Sequence, residues 1–351
     1  MAPVIRALRE QQALGVSVLC SGQHRDLLAP LLDWFGIAPD ADLEVMTDNQ
    51  TLGMLTSRLL AALEQCLAAE RPRLVIAQGD TTTVMCAALA CFYQAIPFAH
   101  VEAGLRTFNL HYPFPEEFNR VAVGRVAQLH FCPTRRAADN VLREGAAADS
   151  VHLTGNTVID ALQFTVAKLG PPSAQTGQHV LLTAHRRENF GAPLENIFRA
   201  VLELCRQFPD MMVTYPVHPN PNVREPAYRL LGNHPQVRLV APLNYPDLVA
   251  AMRISRFILT DSGGIQEEAP ALGVPVLVLR NETERPEAVE AGVAKLVGSA
   301  TDVIVGECRR LMLEPEHYRR MSAGGSPYGD GAAAARICAA VTQFLREARE
   351  Q

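Results

Sequence analysis

Three acidic residues stand out by position. Asp80 lies in Gln78-Gly79-Asp80-Thr81-Thr82-Thr83, Glu102 in Glu102-Ala103-Gly104-Leu105-Arg106-Thr107, and Glu116 in Pro115-Glu116-Glu117-Phe118-Asn119-Arg120. The first two directly follow the apolar runs RLVIA and PFAHV; the third comes after a loop. Carboxylates gathered at one sheet edge can serve as general acid and base, because mutual repulsion drives their proton affinities apart. The same residues also suit helix capping. Asp80 before three threonines is a reasonable N-cap, and Pro-Glu-Glu is an ordinary first helical turn. Spacing alone leaves both readings open. Convergence of all three on the same edge of one sheet is what raises the chemical reading.

A second group lies further along the chain. His185-Arg186-Arg187-Glu188-Asn189-Phe190-Gly191 follows the run HVLLTA. A histidine and two arginines at a strand end suit a phosphate group, and equally a solvated basic turn. Thr260-Asp261-Ser262-Gly263-Gly264-Ile265-Gln266-Glu267-Glu268 follows RFIL and enters a helix. Gly263 and Gly264 allow close backbone approach, and the free N–H groups of a first helical turn favour an anion. Glu268, within two turns of the helix start, could accept from ribose hydroxyls. Arg285, after VPVLVL, adds a cation at the same edge.

The elements that must position these residues are legible as an alternation. RLVIAQGD, PFAHVEAG, QLHFCPT and SVHLTGN read as buried strands, each leading to a helix. HVLLTAH, MMVTYPVHP, VRLVAPL, RFILTDSGG and VPVLVLR repeat the pattern. This is the signature of an α/β protein with parallel sheets, whose ligands bind beyond the carboxyl ends of the strands. GPPSAQTGQ at 170–178 is the single linker-like stretch. Two doubly wound, Rossmann-like domains are expected, 1–170 and 175–330, with the ligand in the cleft between them. The chain opens on a helical pattern, with Val4, Ile5 and Leu8 on one face, before the strand VSVLCSG.

Composition narrows the function. The chain has 351 residues, an apolar fraction of 48% and a net charge of −5. There is no general basic field for nucleic acid or an anionic membrane, so an anionic ligand must be held locally. The most apolar stretch, Ala87 to Val101, is broken by Gln94 and Pro97, well short of the roughly 20 residues that span a bilayer. No signal-peptide pattern precedes it. The eight cysteines form no CxxC pair and the ten histidines no HExxH. Free buried thiols, no metal and a cytoplasmic setting are expected.

Taken together, QGDTTT, HVEAGLRT, PFPEEFNR, HRRENFG, TDSGGIQEEAPALGVPVLVLR, TERPE and SPYGDG closely resemble the non-hydrolysing UDP-N-acetylglucosamine 2-epimerases, from Met1 to about Ile337. The resemblance implies the glycosyltransferase-B fold, with two Rossmann-like domains facing across a cleft and a C-terminal helix, about 331–351, returning to the first. It implies interconversion of UDP-N-acetylglucosamine and UDP-N-acetylmannosamine without metal or redox cofactor. The implied route eliminates UDP to a 2-acetamidoglucal and adds it back with the proton on the other face. Asp80, Glu102 and Glu116 match the family's catalytic acidic positions, and His185 the histidine near the diphosphate. Ser262, Gly263 and Gly264 match the diphosphate loop, Glu268 the ribose contact, Arg285 another nucleotide-site residue and Arg120 the arginine of the PEExNR motif. A homodimer and a role in cell-surface polysaccharide synthesis go with the family.

The match has departures. The family begins with a strand and a Gly-Thr-Arg-Pro-Glu turn followed by a lysine, and Met1-Ala2-Pro3 aligns just after them. Met1 is therefore expected not to be the natural start of a fully active enzyme. Some bacterial members bind a second substrate molecule as an activator, and Gln23, His24, Arg25 and Arg58 fit that site. Asp26 stands there where such members can carry a different side chain. Leu243 and Leu248 replace a polar and an aromatic residue often seen around the uracil. Other readings are a hydrolysing 2-epimerase that releases free sugar and a UDP-sugar-binding protein without turnover; a glycosyltransferase suits clustered carboxylates less well.

Overall fold

The computed structural model describes residues 1–22, 25–47, 50–172, 178–323 and 325–350. In chain order, the first half carries α1 (Ala2–Arg9), β1 (Leu19–Cys20), α2 (Arg25–Phe35), β2 (Ala41–Asp42), α3 (Leu52–Glu70), β3 (Val75–Gln78), α4 (Thr82–Tyr93), β4 (Phe98–Val101), α5 (Glu116–Val126), β5 (Leu129–Cys132), α6 (Arg135–Arg143), β6 (Val151–Leu153) and α7 (Thr157–Leu169). Then come β7 (Gln178–Thr183), α8 (Ala192–Gln207), β8 (Met211–Pro216), α9 (Pro221–Leu231), β9 (Val237–Val240), α10 (Tyr245–Arg253), β10 (Phe257–Thr260), α11 (Gly263–Ala271), β11 (Val276–Val278), α12 (Pro286–Glu290), β12 (Ala294–Leu296), α13 (Thr301–Leu313), α14 (Pro315–Ser322) and α15 (Ala333–Glu350). The chain divides into two units, Met1–Ala161 with Tyr328–Gln351, and Leu162–Pro327.

The first unit is built on a parallel sheet of order β3-β4-β5-β6. Its central strands are buried at every position, the pattern of strands covered on both faces. On one face lie Leu55, Leu59, Leu63 and Leu67 of α3, spaced every fourth residue, with Val84, Ala88 and Cys91 of α4. That spacing keeps one apolar stripe along the helix. On the other face Val4 and Leu8 of α1 meet Ile337, Cys338 and Val341 of α15 over Val101 and Phe131. The α15 start is fastened by Asp160, whose carboxylate accepts from the Ala333 and Ala334 amides at 3.2 and 2.8 Å.

The strand expectations need correction. Of VSVLCSG, only Leu19–Cys20 join a ladder, with β2; Asp40 takes the Val18 amide on its side chain instead, at 2.7 Å. RLVIAQGD and SVHLTGN are not fully buried, because β3 and β6 are the two edge strands of their sheet: β3 is half-buried at every position and Leu153 is 45% exposed. β12 was not anticipated from sequence. It is three residues long, and Lys295 interrupts its apolar run.

The second unit is one six-stranded parallel sheet of order β12-β11-β10-β7-β8-β9. Successive crossovers run outward in opposite directions from the β7–β10 pair. That pair is the topological switch point, where the loops after the two strands part and leave a crevice. Val180, Leu182, Phe198, Tyr215, Phe257 and Leu259 form the centre of its core. All eight cysteines are free and seven are buried. Among the described residues, no helix is long and apolar enough to cross a membrane, and no group of three or more His, Cys, Asp or Glu side chains is placed to hold a metal ion.

Candidate functional site

In the first unit, the residues that follow β3 and β4 meet the start of α5. Asp80 does not cap α4. Thr81 does, its hydroxyl accepting from the Val84 amide. The Asp80 carboxylate is gripped by Arg120, with Nε at 2.9 Å and Nη2 at 2.7 Å from Oδ2. The Asp80 carbonyl accepts from Asn119 Nδ2 at 2.8 Å. The turn before it is tied by His100, whose Nε2 donates to the Gly79 carbonyl at 2.7 Å. Burial pushes the His100 imidazole down to about 4, so the neutral ring has one N–H, and the carbonyl fixes it on Nε2.

Glu102 follows β4 with φ +66°, a left-handed conformation that costs a non-glycine residue about 1–2 kcal/mol. Its Oε2 accepts from Gln78 Nε2 at 3.3 Å. Two residues on, Gly104 is at φ +88°, and a Cβ there would lie 2.1 Å from the Ala137 carbonyl oxygen. No other residue fits, so the turn that presents Glu102 is pressed against α6.

The Pro-Glu-Glu turn divides its labour. Glu117 is fully buried: Oε1 accepts from the Thr107 and Phe108 amides, both at 2.9 Å, and Oε2 from Arg120 Nη1 at 3.2 Å. Glu116, beside it, is half-buried at the start of α5. Neither carboxylate caps the helix. Glu117 and Asn119 are organising residues that sequence reasoning missed. The available signal was the i, i+3 spacing from Glu117 to Arg120. Arg120, which the resemblance places in the substrate cleft, has its guanidinium on Asp80 and Glu117.

In the second unit, the crevice between β7 and β10 gathers most of the other expected residues. Asp261 is completely buried at the end of β10. Its Oδ2 accepts from the His185 and Arg186 amides, both at 2.8 Å, and from Asn189 Nδ2 at 3.0 Å. That grip makes the HRRENFG segment an ordered turn rather than a merely solvated one. The His185 ring stacks on His218 at 5.6 Å between centroids, and burial is the first of several influences that lower its proton affinity. Ser262 stands at the N-cap of α11 without a side-chain bond to the helix, followed by Gly263 and exposed Gly264. Arg186 Nη2 is 3.9 Å from where a Gly263 Cβ would be. A cation and a helix start thus share the crevice mouth, an anion-binding combination.

Further along α11, two neighbouring buried glutamates have different partners. Glu267 pairs with Arg285 Nε. Glu268 accepts from the Tyr245 hydroxyl at 2.6 Å. Burial, with Glu267 adjacent, pushes the Glu268 carboxyl up to about 7 against the opposing pull of that hydroxyl. Arg285 Nε is therefore held by a protein carboxylate. Of the expected activator residues, Arg58 is exposed on α3 and donates to Thr47 Oγ1 at 2.5 Å; Gln23 and His24 lie outside the described residues.

The family model for UDP-N-acetylglucosamine 2-epimerase matches residues 6–342. A UDP-N-acetylglucosamine 2-epimerase from Bacillus subtilis is 48% identical over 341 residues, 96% of this chain and 90% of that one. Among solved structures, a UDP-GlcNAc 2-epimerase from Neisseria meningitidis bound to UDP-GlcNAc is 44% identical, with a TM-score of 0.91 over 99% of this chain and 96% of that one. One from Methanocaldococcus jannaschii, in complex with UDP-GlcNAc and UDP, is 30% identical, with a TM-score of 0.82 over 97% and 95%.

Proposed function

This chain belongs to the UDP-N-acetylglucosamine 2-epimerase family and has the glycosyltransferase-B fold, and on that premise we propose that it interconverts UDP-N-acetylglucosamine and UDP-N-acetylmannosamine. The observation that carries this reading is the pair of carboxylates held after neighbouring parallel strands, Asp80 by Arg120 and Glu102 by a left-handed turn. The bond between sugar carbon 1 and the β-phosphate oxygen breaks, and its electron pair stays with that oxygen. Positive charge at carbon 1 acidifies the hydrogen on carbon 2, and a carboxylate of the first unit removes it as a proton. The products are 2-acetamidoglucal and UDP. The UDP oxygen then rejoins carbon 1 while a second acid delivers a proton to the opposite face of carbon 2. Two faces need two acid–base groups, which Asp80, Glu102 and half-buried Glu116 supply.

His185, Ser262, Gly263 and Gly264 take the diphosphate in this reading, and Glu268 takes the ribose hydroxyls. Arg120 and Arg285 act by holding Asp80 and Glu267 in place. The test is proton NMR of either UDP-sugar with the protein in deuterium oxide. Deuterium at carbon 2 with UDP still attached is the expected result. Release of free N-acetylmannosamine would make the enzyme hydrolysing, and an unchanged sugar would remove the proposal.

A pH dependence of nucleotide binding follows from Glu268. Ribose hydroxyls donate to the ionised carboxylate, whereas the free protein protonates it below about pH 7. UDP affinity should therefore rise with pH through about 7, and UDP binding should release protons below that. Folding has the opposite sign. A folded-state proton affinity above the unfolded one gives stability that is full below the unfolded value and lost as pH rises through about 7. Calorimetry of UDP binding in buffers of different ionisation heat reads the proton release. A Glu268→Gln variant that kept the wild-type pH profile would refute the assignment.

A further inference from the structure

Asp261 has one oxygen that its structural duties leave unused. Oδ2 takes all three donors from the 185–189 turn, while Oδ1 is buried without a hydrogen-bond partner. That oxygen lies 3.5 Å from His185 Nδ1. A buried carboxylate oxygen beside a ring nitrogen favours a proton on that nitrogen, and the nitrogen so used determines what the other presents.

We propose that Asp261 is a positioning residue for His185: it holds the proton on Nδ1, so that Nε2 is the nitrogen offered to the diphosphate, and it favours the imidazolium when that nitrogen is also protonated. Several groups face the ring. Asp261 favours the charged form, while the stacked His218 ring and the Arg186 guanidinium disfavour it, as does burial. Tyr215, behind Asp261, is neutral and donates to the Ala184 carbonyl at 2.7 Å. Asp261 is thus the carboxylate that offsets the Arg186 guanidinium and the stacked ring. An imidazolium N–H at Nε2 would stabilise the charge that develops on the departing phosphate oxygen. The identity of that oxygen rests on the epimerase reading; the tautomer does not.

The experiment is nitrogen-15 NMR of the full chain labelled at the histidine rings, with His185 assigned by the His185→Gln spectrum. The neutral wild-type ring is expected to carry its proton on Nδ1. In Asp261→Asn the oxygen can still serve the turn amides, but the amide NH2 would point at Nδ1. The proton should move to Nε2, and the imidazole should lose at least about tenfold in proton affinity. Turnover should fall by about tenfold or more, with a smaller change in KM, and its pH profile should shift to lower pH. A wild-type Nε2–H tautomer, or an Asn variant with unchanged tautomer and pH profile, would overturn the proposal. If the Asn variant fails to fold, the wild-type tautomer decides alone. A wild-type protein that left the UDP-sugar unchanged in deuterium oxide would remove the epimerase reading and leave the tautomer result standing.

Discussion

Asp80→Asn and Glu102→Gln should each lower turnover by about 100-fold or more, the scale of a lost general acid–base group. Both changes keep side-chain shape and remove the negative charge together with the ability to exchange a proton. Asp80 is the more informative of the two, because its Oδ2 is already bonded to Arg120. An asparagine can still accept from Arg120 through its oxygen, so the turn and α5 should stay in register. Steady-state turnover and melting temperature, measured on the same preparations, check the pair. A large loss of turnover is expected in both, with melting close to wild type in Glu102→Gln and lowered in Asp80→Asn, where buried Arg120 loses a charged partner. Wild-type turnover in both variants would show that neither carboxylate moves the proton, and Glu116 would then be examined as the base.

Glu117→Ala is expected to have the largest effect on stability, a loss of about 3–5 kcal/mol, because it strips a buried arginine of a charged partner. Glu117 also takes two main-chain amides of the 107–108 segment. Those amides would lose their acceptor, an added cost that stays below the about 1–3 kcal/mol of a fully buried donor because Phe108 is largely exposed. The effect should reach the chemistry through Arg120, which would keep only Asp80. Denaturant unfolding reads the stability, and Glu117→Gln, which retains an acceptor for the amides, should recover part of it. Unfolding curves of wild type and Glu117→Ala that superimpose would show that the buried network is replaceable by water.

Much of the site was legible because parallel sheets place function at strand ends. An apolar run that stops at Gln-Gly-Asp or Thr-Asp-Ser-Gly-Gly announces where chemistry can sit, and period and turn residues sufficed to mark it. Division of roles was not legible. Glu116 and Glu117 are adjacent and identical in type, yet one is half-buried at a helix start and the other is sealed under a loop ten residues upstream. Glu267 and Glu268 differ in the same way, one paired with Arg285 and the other with a tyrosine from α10. Asp261 looked like part of a phosphate loop, and its carboxylate instead organises a turn 76 residues earlier in sequence.

The sequence by itself therefore determined the α/β class, the strand ends that carry the candidate residues and, through its motifs, the family. These are local properties: side-chain period, turn chemistry and residue order along one segment. Only the tertiary structure decided which of two neighbouring carboxylates is buried, which arginine is already paired, and which histidine nitrogen faces a carboxylate. Those outcomes depend on what a distant segment brings to the same point. Desolvation and hydrogen-bond geometry change over a few ångströms, whereas sequence spacing reports only which face of an element a residue occupies.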